Sequence, residues 1–493
     1  MREHLPALQV LLPLAAAPLI VLARSPRFAW LAATAASYGS LVVAVLLATE
    51  VAASGSISYA IGSWPPPWGI EYRVDPLSAF MLVLVALTAS LVAPYAERSV
   101  AAEIPADRRY LVYAMYCLCL AGLLGMVATG DAFNLFVFLE IASLATYVLI
   151  ALGPRRKALL AAYQYMLMGT VGATFYVIGV GLLYLMTGTL NLADMAARLR
   201  EVTELRPVLA ALAFLTVGIG LKLALFPLHQ WLPNAYACAP SMVSAFLAAT
   251  ATKVSVYVLL RYYYTVFDPW ALFERLPTGE VLIALSVAAM LVASVVAVYE
   301  QDAKRLFAWS SVAQIGYVTL GIGLDNQAGL TAALAHLINH GVAKGAIFVL
   351  LGGVALRAGA GALGVASLGG LAARMPLTAL GLAIAGLSLV GVPGTAGFVT
   401  KWYLVLGALE RGHAWLVAAI VASSLLAAVY VWRVIEALYL RAAPAGAVRG
   451  EAPAPMLVAA MAMTALCVYF GFETSFNVGA AREAADFLTR GLR

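Results

Sequence analysis

The chain carries little charge for its length. Only 11% of its 493 residues are Asp, Glu, Lys or Arg, whereas about 25% of the residues in a soluble domain are charged. A water-soluble globular protein is therefore excluded. The 30 Lys and Arg outnumber the 24 Asp and Glu, but they are scattered and form no basic run. Disordered and collagen-like chains are excluded as well, and no nucleic acid is expected as a partner.

Cysteine is scarce too, and its spacing has no metal or redox signature. The four cysteines lie in or beside apolar runs, without a CxxC pair: Cys117, Cys119, Cys238 and Cys467. Neither a disulfide nor a metal centre is predicted, and no cofactor is expected. Clustered carboxylates that would hold Mg²⁺ at a helix end are also missing, as is a nucleophile beside a base. A membrane-embedded transferase is therefore not favoured.

Long apolar runs fill most of the sequence. Hydrophobic residues make up 63% of the chain, and about 20 consecutive apolar residues cross a bilayer as a helix. The linkers are short, which leaves no room for a soluble catalytic domain. The sequence predicts an all-α polytopic membrane protein in the lipid bilayer with about 14 transmembrane helices, at residues 5–23, 29–54, 76–97, 109–128, 131–152, 158–187, 207–229, 239–266, 278–298, 304–324, 328–357, 375–400, 413–440 and 454–474.

Positively charged loops predict the orientation of these helices. Lys and Arg are more frequent in the loops that follow most odd-numbered helices, as at Arg24, Arg98 and Arg155, than in the other loops. Loops rich in Lys and Arg stay on the inner side of a membrane. We therefore expect both termini on the outer side.

An internal repeat is visible in the sequence. The hexapeptide DAFNLF at 131–136 opens the fifth predicted helix, and DAKRLF at 302–307 opens the tenth, 171 residues later. One repeat therefore contains five helices, 4–8 and 9–13, and an odd number forces the second copy to run inverted, as in transporters. The predicted segments are an N-terminal three-helix segment (1–107), the first repeat (108–266), the second repeat (278–440), and a last helix with a short tail (441–493).

Prolines interrupt the seventh and the twelfth predicted helices. Pro227 and Pro393 each remove a backbone donor and clash with the preceding turn, which predicts a break within the membrane. A harmless kink is the alternative, because proline is common in membrane helices. Lys222 and Lys401 lie close to the two breaks, and these lysines favour a functional role.

Lysine is placed differently from arginine in this chain. Lys222, Lys253, Lys344 and Lys401 lie inside apolar runs, where an ionised side chain costs about 3 kcal/mol. Lysine, unlike arginine, can release its proton when it is desolvated. We therefore predict that these lysines carry protons. Snorkelling to the membrane surface and structural ion pairing are the alternatives.

Acidic and histidine side chains complete the candidate pathway. Glu140 lies near the middle of the fifth helix and needs a partner there, for which Lys222 on the broken helix is the candidate. His336, His340 and Lys344 recur every four residues and form one column with a spacing of about 6 Å along the helix. Because histidine both takes and gives a proton near neutral pH, the column predicts a proton wire. Core histidines bonded to carbonyls are the alternative.

Three sequence stretches resemble a known family. They are GDAFNLFVFLE at 130–140, KLALFPLHQWLPNAY at 222–236 and ATKV at 251–254. They resemble the antiporter-like membrane subunits shared by respiratory complex I, membrane-bound hydrogenases and Mrp-type multisubunit monovalent-cation/proton antiporters. The resemblance covers the core of all the predicted helices, and the form around 131–138 is most similar to the D-type subunit of Mrp antiporters.

The resemblance implies roles for individual residues. Glu140 matches the family's fifth-helix glutamate, and the lysines match those of the seventh, eighth and twelfth helices: Lys222, Lys253 and Lys401. His336 and His340 belong to the linking hydrophilic axis. Many relatives carry His where Cys238 stands and Pro where Met242 stands, so the resemblance does not extend to proton entry from that side of the membrane.

The resemblance also implies an activity. We expect a proton-translocating subunit of a multisubunit Na⁺/proton antiporter in a prokaryotic inner membrane, a transporter subunit that is not itself an enzyme. Its partners are then other membrane subunits, protons and Na⁺. The alternative is a proton-pumping subunit of a redox-driven complex, an NADH:quinone oxidoreductase or a membrane-bound hydrogenase, with the redox centres in partner subunits. An inert scaffold is disfavoured, because the free-energy cost of placing Lys and Glu side chains inside the membrane would then serve no function.

Overall fold

The chain folds almost entirely into helices. The computed structural model describes residues 2–267, 269, 271–359, 363–444 and 449–489. Its α-helices are α1 (Leu5–Ala23), α2 (Pro26–Ser54), α3 (Pro76–Glu103), α4 (Arg109–Ala128), α5 (Ala132–Ala151), α6 (Lys157–Thr187), α7 (Leu192–Leu199), α8 (Leu205–Leu223), α9 (Trp231–Cys238), α10 (Ser241–Arg261), α11 (Thr278–Tyr299), α12 (Ala303–Gly323), α13 (Gln327–Ala358), α14 (Leu371–Arg374), α15 (Pro376–Val390), α16 (Ala396–Glu410), α17 (Ala414–Leu440), α18 (Ala454–Phe472) and α19 (Asn477–Thr489).

Thirteen helices in the described part of the chain are long and apolar enough to cross a membrane. The twelfth predicted helix is not among them because it consists of two pieces, α15 and α16. Counting this broken helix gives the predicted architecture, and the polytopic all-α fold is confirmed. The boundaries of that helix were predicted too short, since its second piece extends to Glu410. The predicted tail holds a further helix, α19.

A small hairpin marks one face of the helix bundle. Strands β1 (Ile57–Ala60) and β2 (Glu71–Val74) pair antiparallel in the segment between α2 and α3. The start of α1 lies at this hairpin, where His4 contacts the Tyr59 hydroxyl at 3.1 Å. We call this side of the bundle the hairpin face and the other side, where α3 ends and α10 begins, the opposite face.

The two repeats share the same local architecture. Asp131 precedes α5 and accepts a hydrogen bond from the Asn134 amide at 2.7 Å, and Asp302 precedes α12 and accepts one from the Arg305 amide at 3.1 Å. In each repeat, the backbone amide of the residue after the aspartate donates to a carbonyl far along the chain. The Ala132 amide donates to the Leu190 carbonyl at 2.8 Å, and the Ala303 amide donates to the Leu363 carbonyl at 2.7 Å. The two similar hexapeptides therefore form the same hydrogen-bonded helix start in both repeats, at α5 and at α12. The exact segment boundaries remain a prediction.

Both predicted helix breaks are present. Helix α8 ends before Ala224, which adopts a left-handed conformation with φ 61°, and the chain is helical again from Trp231. Helix α15 ends at Gly391, also left-handed at φ 85°, and α16 begins five residues later. Pro227 and Pro393 lie in the two non-helical stretches. The carbonyls at the ends of α8 and α15 therefore lack helical partners.

A buried ion pair joins α3 to α10 at the hairpin face. Arg261, near the end of the eighth predicted helix, donates from Nη2 to the Asp75 carboxylate and to the Ser78 hydroxyl. Its Nε donates to the Tyr257 hydroxyl at 2.9 Å. The side chains of Arg261 and Asp75 are only 6% and 3% exposed. Because 186 residues separate the partners, sequence spacing gave no sign of this pair.

Replacing Arg261 with Met is expected to destabilise the protein strongly, because it leaves the Asp75 carboxylate buried and unpaired. Loss of one partner of a buried pair costs about 3–5 kcal/mol. The thermal unfolding temperature of the purified protein measures the effect. Arg441→Met is the matched control, since the Arg441–Glu436 pair is 44% and 36% exposed and exposed pairs contribute about 0–1 kcal/mol. Equal melting temperatures for the two variants would contradict this prediction.

Candidate functional site

The structure brings Glu140 and Lys222 together, as the sequence predicted. Lys222 Nζ lies 3.9 Å from Glu140 Oε1. The same ammonium donates to Ser143 Oγ at 2.6 Å and to the Tyr147 hydroxyl at 3.2 Å. All three partners lie on α5, one turn apart, so they form a single stripe facing the broken end of α8. The Lys222 side chain is 5% exposed and that of Glu140 is 27% exposed.

A close helix contact makes room for this pair. A Cβ atom at Gly169 on α6 would lie 2.0 Å from the Tyr147 hydroxyl and 3.2 Å from Lys222 Nζ. Any other residue would therefore push into the donors and acceptors around the ammonium. The glycine at this position is required by the packing of α6 against α5 and α8.

A small cavity, mostly apolar but with several polar groups in its lining, extends from Lys222 towards α10. Its volume is about 30 Å³, and its lining includes Ser143, Thr146 and Lys222 on one side and Ala251 and Ser255 of α10 on the other. That volume is enough for one or two water molecules, and the hydroxyls supply polar partners for them. Ala251 and Ser255 flank Lys253 in the sequence. The cavity therefore reaches α10 at the face of Ala251 and Ser255, and Lys253 is not part of its lining.

Lys253 is buried without an acidic partner among the described residues. Its Nζ donates to the Ala248 carbonyl at 2.5 Å and contacts Thr252 Oγ1 at 3.5 Å. Helix α13 packs closely here, since a Cβ at Gly341 would meet the Ala249 carbonyl at 2.9 Å. Lys253 thus lies on the side of α10 that faces the histidine helix. Its residue exposure of 2% excludes snorkelling to the surface.

The two histidines stack on α13. Their ring centroids are 5.6 Å apart and nearly parallel, at 12°. His336 Nδ1 lies 2.8 Å from Thr400 Oγ1, and His336 Nε2 lies 2.9 Å from Gln314 Oε1. His340 Nε2 is buried and makes no hydrogen bond to the described part of the chain. Neither histidine is held by a backbone carbonyl through these ring nitrogens, so the arrangement differs from a simple core histidine.

Lys344 follows one turn after His340 and contacts α12. Its Nζ donates to the Phe307 carbonyl at 2.6 Å and to the Ser310 hydroxyl. The residue is completely buried. The predicted column therefore runs along α13 and is bordered by polar groups of α12 at both of its ends, Ser310 beside Lys344 and Gln314 beside His336.

Lys401 lies at the second helix break. Its Nζ donates to the Leu389 carbonyl at 3.2 Å and the Val390 carbonyl at 2.8 Å, at the end of α15. It also donates to Ser424 Oγ at 2.9 Å and lies 4.5 Å from the centre of the Tyr317 ring. The negative end of a helix dipole stabilises a cation at this position. The ammonium is held inside the protein rather than at the surface.

Sequence reasoning missed several residues of this site. Ser143 and Tyr147 follow Glu140 at helical spacing, which is a usable signal, but hydroxyls are common in membrane helices. Thr400 directly precedes Lys401 yet bonds to His336, 64 residues away. Lys304, the second residue of α12, is buried with 5% exposure, because the first turn of α12 contacts Ser241 at the start of α10. Its place at the edge of a predicted helix gave no sign of this burial.

Comparison with known proteins places the chain in a family. The sequence profile described as "NADH:quinone oxidoreductase/Mrp antiporter, TM" matches residues 129–427. This stretch includes the acid, the lysines and the histidines described above. The chain belongs to this family of membrane ion-translocating subunits, which confirms the resemblance stated from its motifs.

Relatives come from two kinds of complex. NADH-quinone oxidoreductase subunit N of Desulforudis audaxviator is 46% identical over 460 residues, which is 92% of this chain and 90% of that protein. The D-type subunit of the Na(+)/H(+) antiporter of Alkalihalophilus pseudofirmus is 28% identical over 382 residues, 78% of this chain and 76% of that protein. The expected similarity to D-type subunits is present, but the similarity to this subunit N is greater.

The fold is shared with solved complexes. A chain of the Mrp complex from Dietzia sp. DQ12-45-1b superposes with a TM-score of 0.90 at 26% identity, covering 99% of this chain and 97% of that chain. A chain of respiratory complex I from Thermus thermophilus superposes with a TM-score of 0.76 at 25% identity, covering 98% and 99%. Both matches extend over the whole helix bundle.

Proposed function

We propose that this chain is a proton-translocating subunit of a redox-driven membrane complex of the NADH:quinone oxidoreductase type. The observation that carries the choice of complex is the 46% identity to a subunit N over 92% of the chain. The D-type antiporter subunit of Alkalihalophilus pseudofirmus reaches 28%. The preference derived from the sequence motifs, an Mrp antiporter, thus becomes the second candidate.

The proposed pathway begins at the Glu140–Lys222 pair. At 3.9 Å the carboxylate stabilises the ammonium, and separation of the pair by a conformational change would weaken the hold of Lys222 on its proton. Ser143 and Tyr147 then keep the amine in place. The pair therefore works as a loading site whose proton affinity depends on the distance between its two members.

The middle of the pathway passes from Lys222 to Lys253 and then to α13. Water in the cavity beside Ala251 and Ser255 carries the proton across to α10, because the lysine side chains do not form a direct hydrogen bond with each other. Among the described residues no carboxylate pairs with Lys253 to stabilise its protonated form. Lys253 therefore passes its proton on rather than retaining it. His340 and His336 continue the path through their stacked rings, with Lys344 at the other end of the column.

The pathway ends at Lys401. Thr400 bonds His336, and Lys401 is the next residue, held by the carbonyls at the end of α15. These carbonyls stabilise the ammonium without a carboxylate. The broken helix thus provides a terminal site from which a proton leaves to water or to the next subunit.

The remaining parts of the proposal concern partners and location. The chain has no redox motif of its own, so the redox centres lie in other membrane and peripheral subunits. Glu140 lies partly exposed at the edge of the bundle, where a neighbouring subunit would cover it. The complex lies in a prokaryotic inner membrane, with the hairpin face and both termini on the outer side.

The second candidate is a proton-conducting subunit of a Na⁺/proton antiporter of the Mrp type. It is supported by the superposition on a chain of the Dietzia Mrp complex at a TM-score of 0.90, compared with 0.88 for a chain of an archaeal membrane-bound sulfane sulfur reductase and 0.80 and 0.76 for chains of Thermus thermophilus complex I. The two candidates use the same pathway and differ in what drives it.

Isolation of the native complex through an affinity tag on this chain decides between the candidates. For the redox-driven complex we expect flavin and iron–sulfur absorption in the purified assembly and proton translocation that requires an electron donor. Absence of both absorptions, together with Na⁺-driven proton exchange in vesicles, would contradict the first proposal and support the second. The Glu140→Gln variant of the same preparation shows whether the measured transport uses this chain.

A further inference from the structure

The opposite face contains a polar cluster, buried except for the partly exposed Glu103, that the pathway above does not use. It consists of Tyr95, Ser99 and Glu103 on α3, Ser241 at the start of α10, and Lys304 in the first turn of α12. We call it the Glu103 cluster. Ser99 Oγ donates to Glu103 Oε1 at 3.0 Å, and the Ser241 amide donates to Oε1 and Oε2 at 3.2 and 3.0 Å.

Lys304 contacts the same serine from the other side. Its Nζ donates to Ser241 Oγ at 2.8 Å, so Ser241 joins the carboxylate to the ammonium, with its amide bonded to one and its hydroxyl to the other. Lys304 makes no ion pair with any carboxylate in the described ranges. A lysine that served only for stability would be expected to form a direct pair with the neighbouring acid.

Tyr95 gives the cluster an unused donor. It is completely buried, and its hydroxyl has no hydrogen-bond partner among the residues that the structure describes. A Cβ at Gly352 of α13 would lie 1.8 Å from this hydroxyl and 2.7 Å from Ser241 Cβ. The absence of a side chain at Gly352 therefore makes room for the cluster at the point where α13 passes it.

Helix α12 connects the cluster to the pathway. Lys304 precedes Ser310 by six residues, about 9 Å along the helix, and the Ser310 hydroxyl and the Phe307 carbonyl accept hydrogen bonds from Lys344. Ser311 donates to the same carbonyl at 3.1 Å. On α12, the Phe307 carbonyl and the Ser310 hydroxyl are thus the polar groups that separate Lys304 from Lys344, and the step from Lys304 to them is part of the proposal.

A purely structural function accounts for only half of the cluster. Glu103 stabilises the start of α10 by accepting from its first amide, as a carboxylate does at a helix N-terminus. This does not explain why Lys304 is buried beside it. The other charged groups near Lys304 are already paired, since Arg155 bonds Asp302 at 2.9 Å and Arg305 contacts Glu300 at 3.4 Å.

We infer that the Glu103 cluster is the site at which protons are taken up from the opposite face and passed along α12 to Lys344. The inference rests on the proposed function and adds to the Glu140–Lys222 loading site a second entry, which joins the pathway at Lys344. A proton from water binds the Glu103 carboxylate. The Ser241 hydroxyl gives its proton to the neutral Lys304 amine while it receives one through water from Glu103. The Lys304 ammonium then releases its proton towards Lys344 and is neutral again.

Proteoliposomes that contain the intact complex test this inference. The pH is varied on one side of the membrane at a time, and the rate of proton uptake from that side is measured. Lys304→Arg keeps the positive charge and the donor to Ser241 but cannot release a proton. We expect its uptake from the opposite face to fall by about 100-fold, the effect of removing a positioned proton carrier. Glu103→Gln should remove the dependence of the rate on pH at that face only. The charged and titratable groups that face the cluster, Arg155, Asp302, Cys238 and Arg305, remain unchanged.

Lys157→Arg is the matched control, because Lys157 is an exposed lysine of the same face and should transport like the wild type. Wild-type transport by Lys304→Arg, or an unchanged pH dependence in Glu103→Gln, would overturn the inference. Glu103→Gln keeps the size of the side chain and one acceptor for the Ser241 amide, and Lys304→Arg keeps a donor to Ser241 on a larger side chain. The amount of assembled complex is therefore compared with the wild type in each preparation. The proposed function fails separately, if Glu140→Gln transports normally. Loss of transport in Glu140→Gln combined with normal transport in Lys304→Arg would refute this inference alone.

Discussion

Glu140→Gln and Lys222→Met are each expected to abolish proton translocation while the complex still assembles. Glutamine keeps the shape of Glu140 but cannot hold a proton, and methionine keeps most of the length of Lys222 without its charge. Because the pair at 3.9 Å is the loading site, we expect the rate to fall by at least about 100-fold. The pH gradient formed by membrane vesicles under an electron donor measures the rate.

The control for this experiment is Glu436→Gln. Glu436 also lies on an apolar helix, but it is paired with Arg441 at 3.2 Å and is 36% exposed, so its loss should leave translocation unchanged. Loss of one partner of a buried pair costs about 3–5 kcal/mol of stability, and the amount of assembled complex must therefore be compared in the same membranes. Near-normal translocation by either pathway variant would refute the loading-site proposal.

Lys253→Arg is expected to stop translocation as completely as Lys253→Met. The arginine variant retains a positive charge, but its guanidinium does not deprotonate in a protein. A relay needs a group that gives its proton up again, and Lys253 is suited to this because, in the part of the chain that the structure describes, its ammonium has hydrogen bonds to the Ala248 carbonyl and Thr252 and no carboxylate partner. Single-turnover proton release from the assembled complex measures the step directly.

Thr252→Val serves as the control for the Lys253 variants. It removes the weakest contact of the ammonium, at 3.5 Å, and should reduce the rate only slightly if Lys253 itself is the carrier. The melting temperature of each variant separates a folding defect from a transport defect. If Lys253→Arg translocates like the wild type, a fixed positive charge is sufficient at this position and the relay must be abandoned.

Much of the candidate site follows from local patterns in the sequence. His336, His340 and Lys344 lie in one column because a helix repeats every 3.6 residues, and they do so whatever surrounds the helix. Glu140 could be matched with Lys222 because each was a charged group without an evident partner on its own helix. Arg261 shows the limit of this reasoning. Nothing local to its position near the end of the eighth predicted helix indicates a partner, and the carboxylate that pairs with it in the buried interior lies 186 residues away.

The sequence by itself determined that the chain lies in a lipid bilayer and folds into helices. It also determined the inverted repeat and the positions of the titratable groups along the helices. These depend on composition, on the length of apolar runs and on spacing within one helix, and all of them are local. The tertiary structure alone decided which groups meet: Lys304 with Ser241, Thr400 with His336, and the carbonyls at the end of α15 with Lys401. The physical reason is that apolar helices pack in lipid through small residues and close contacts. The rotation and depth of each helix are therefore set by its neighbours and not by its own sequence.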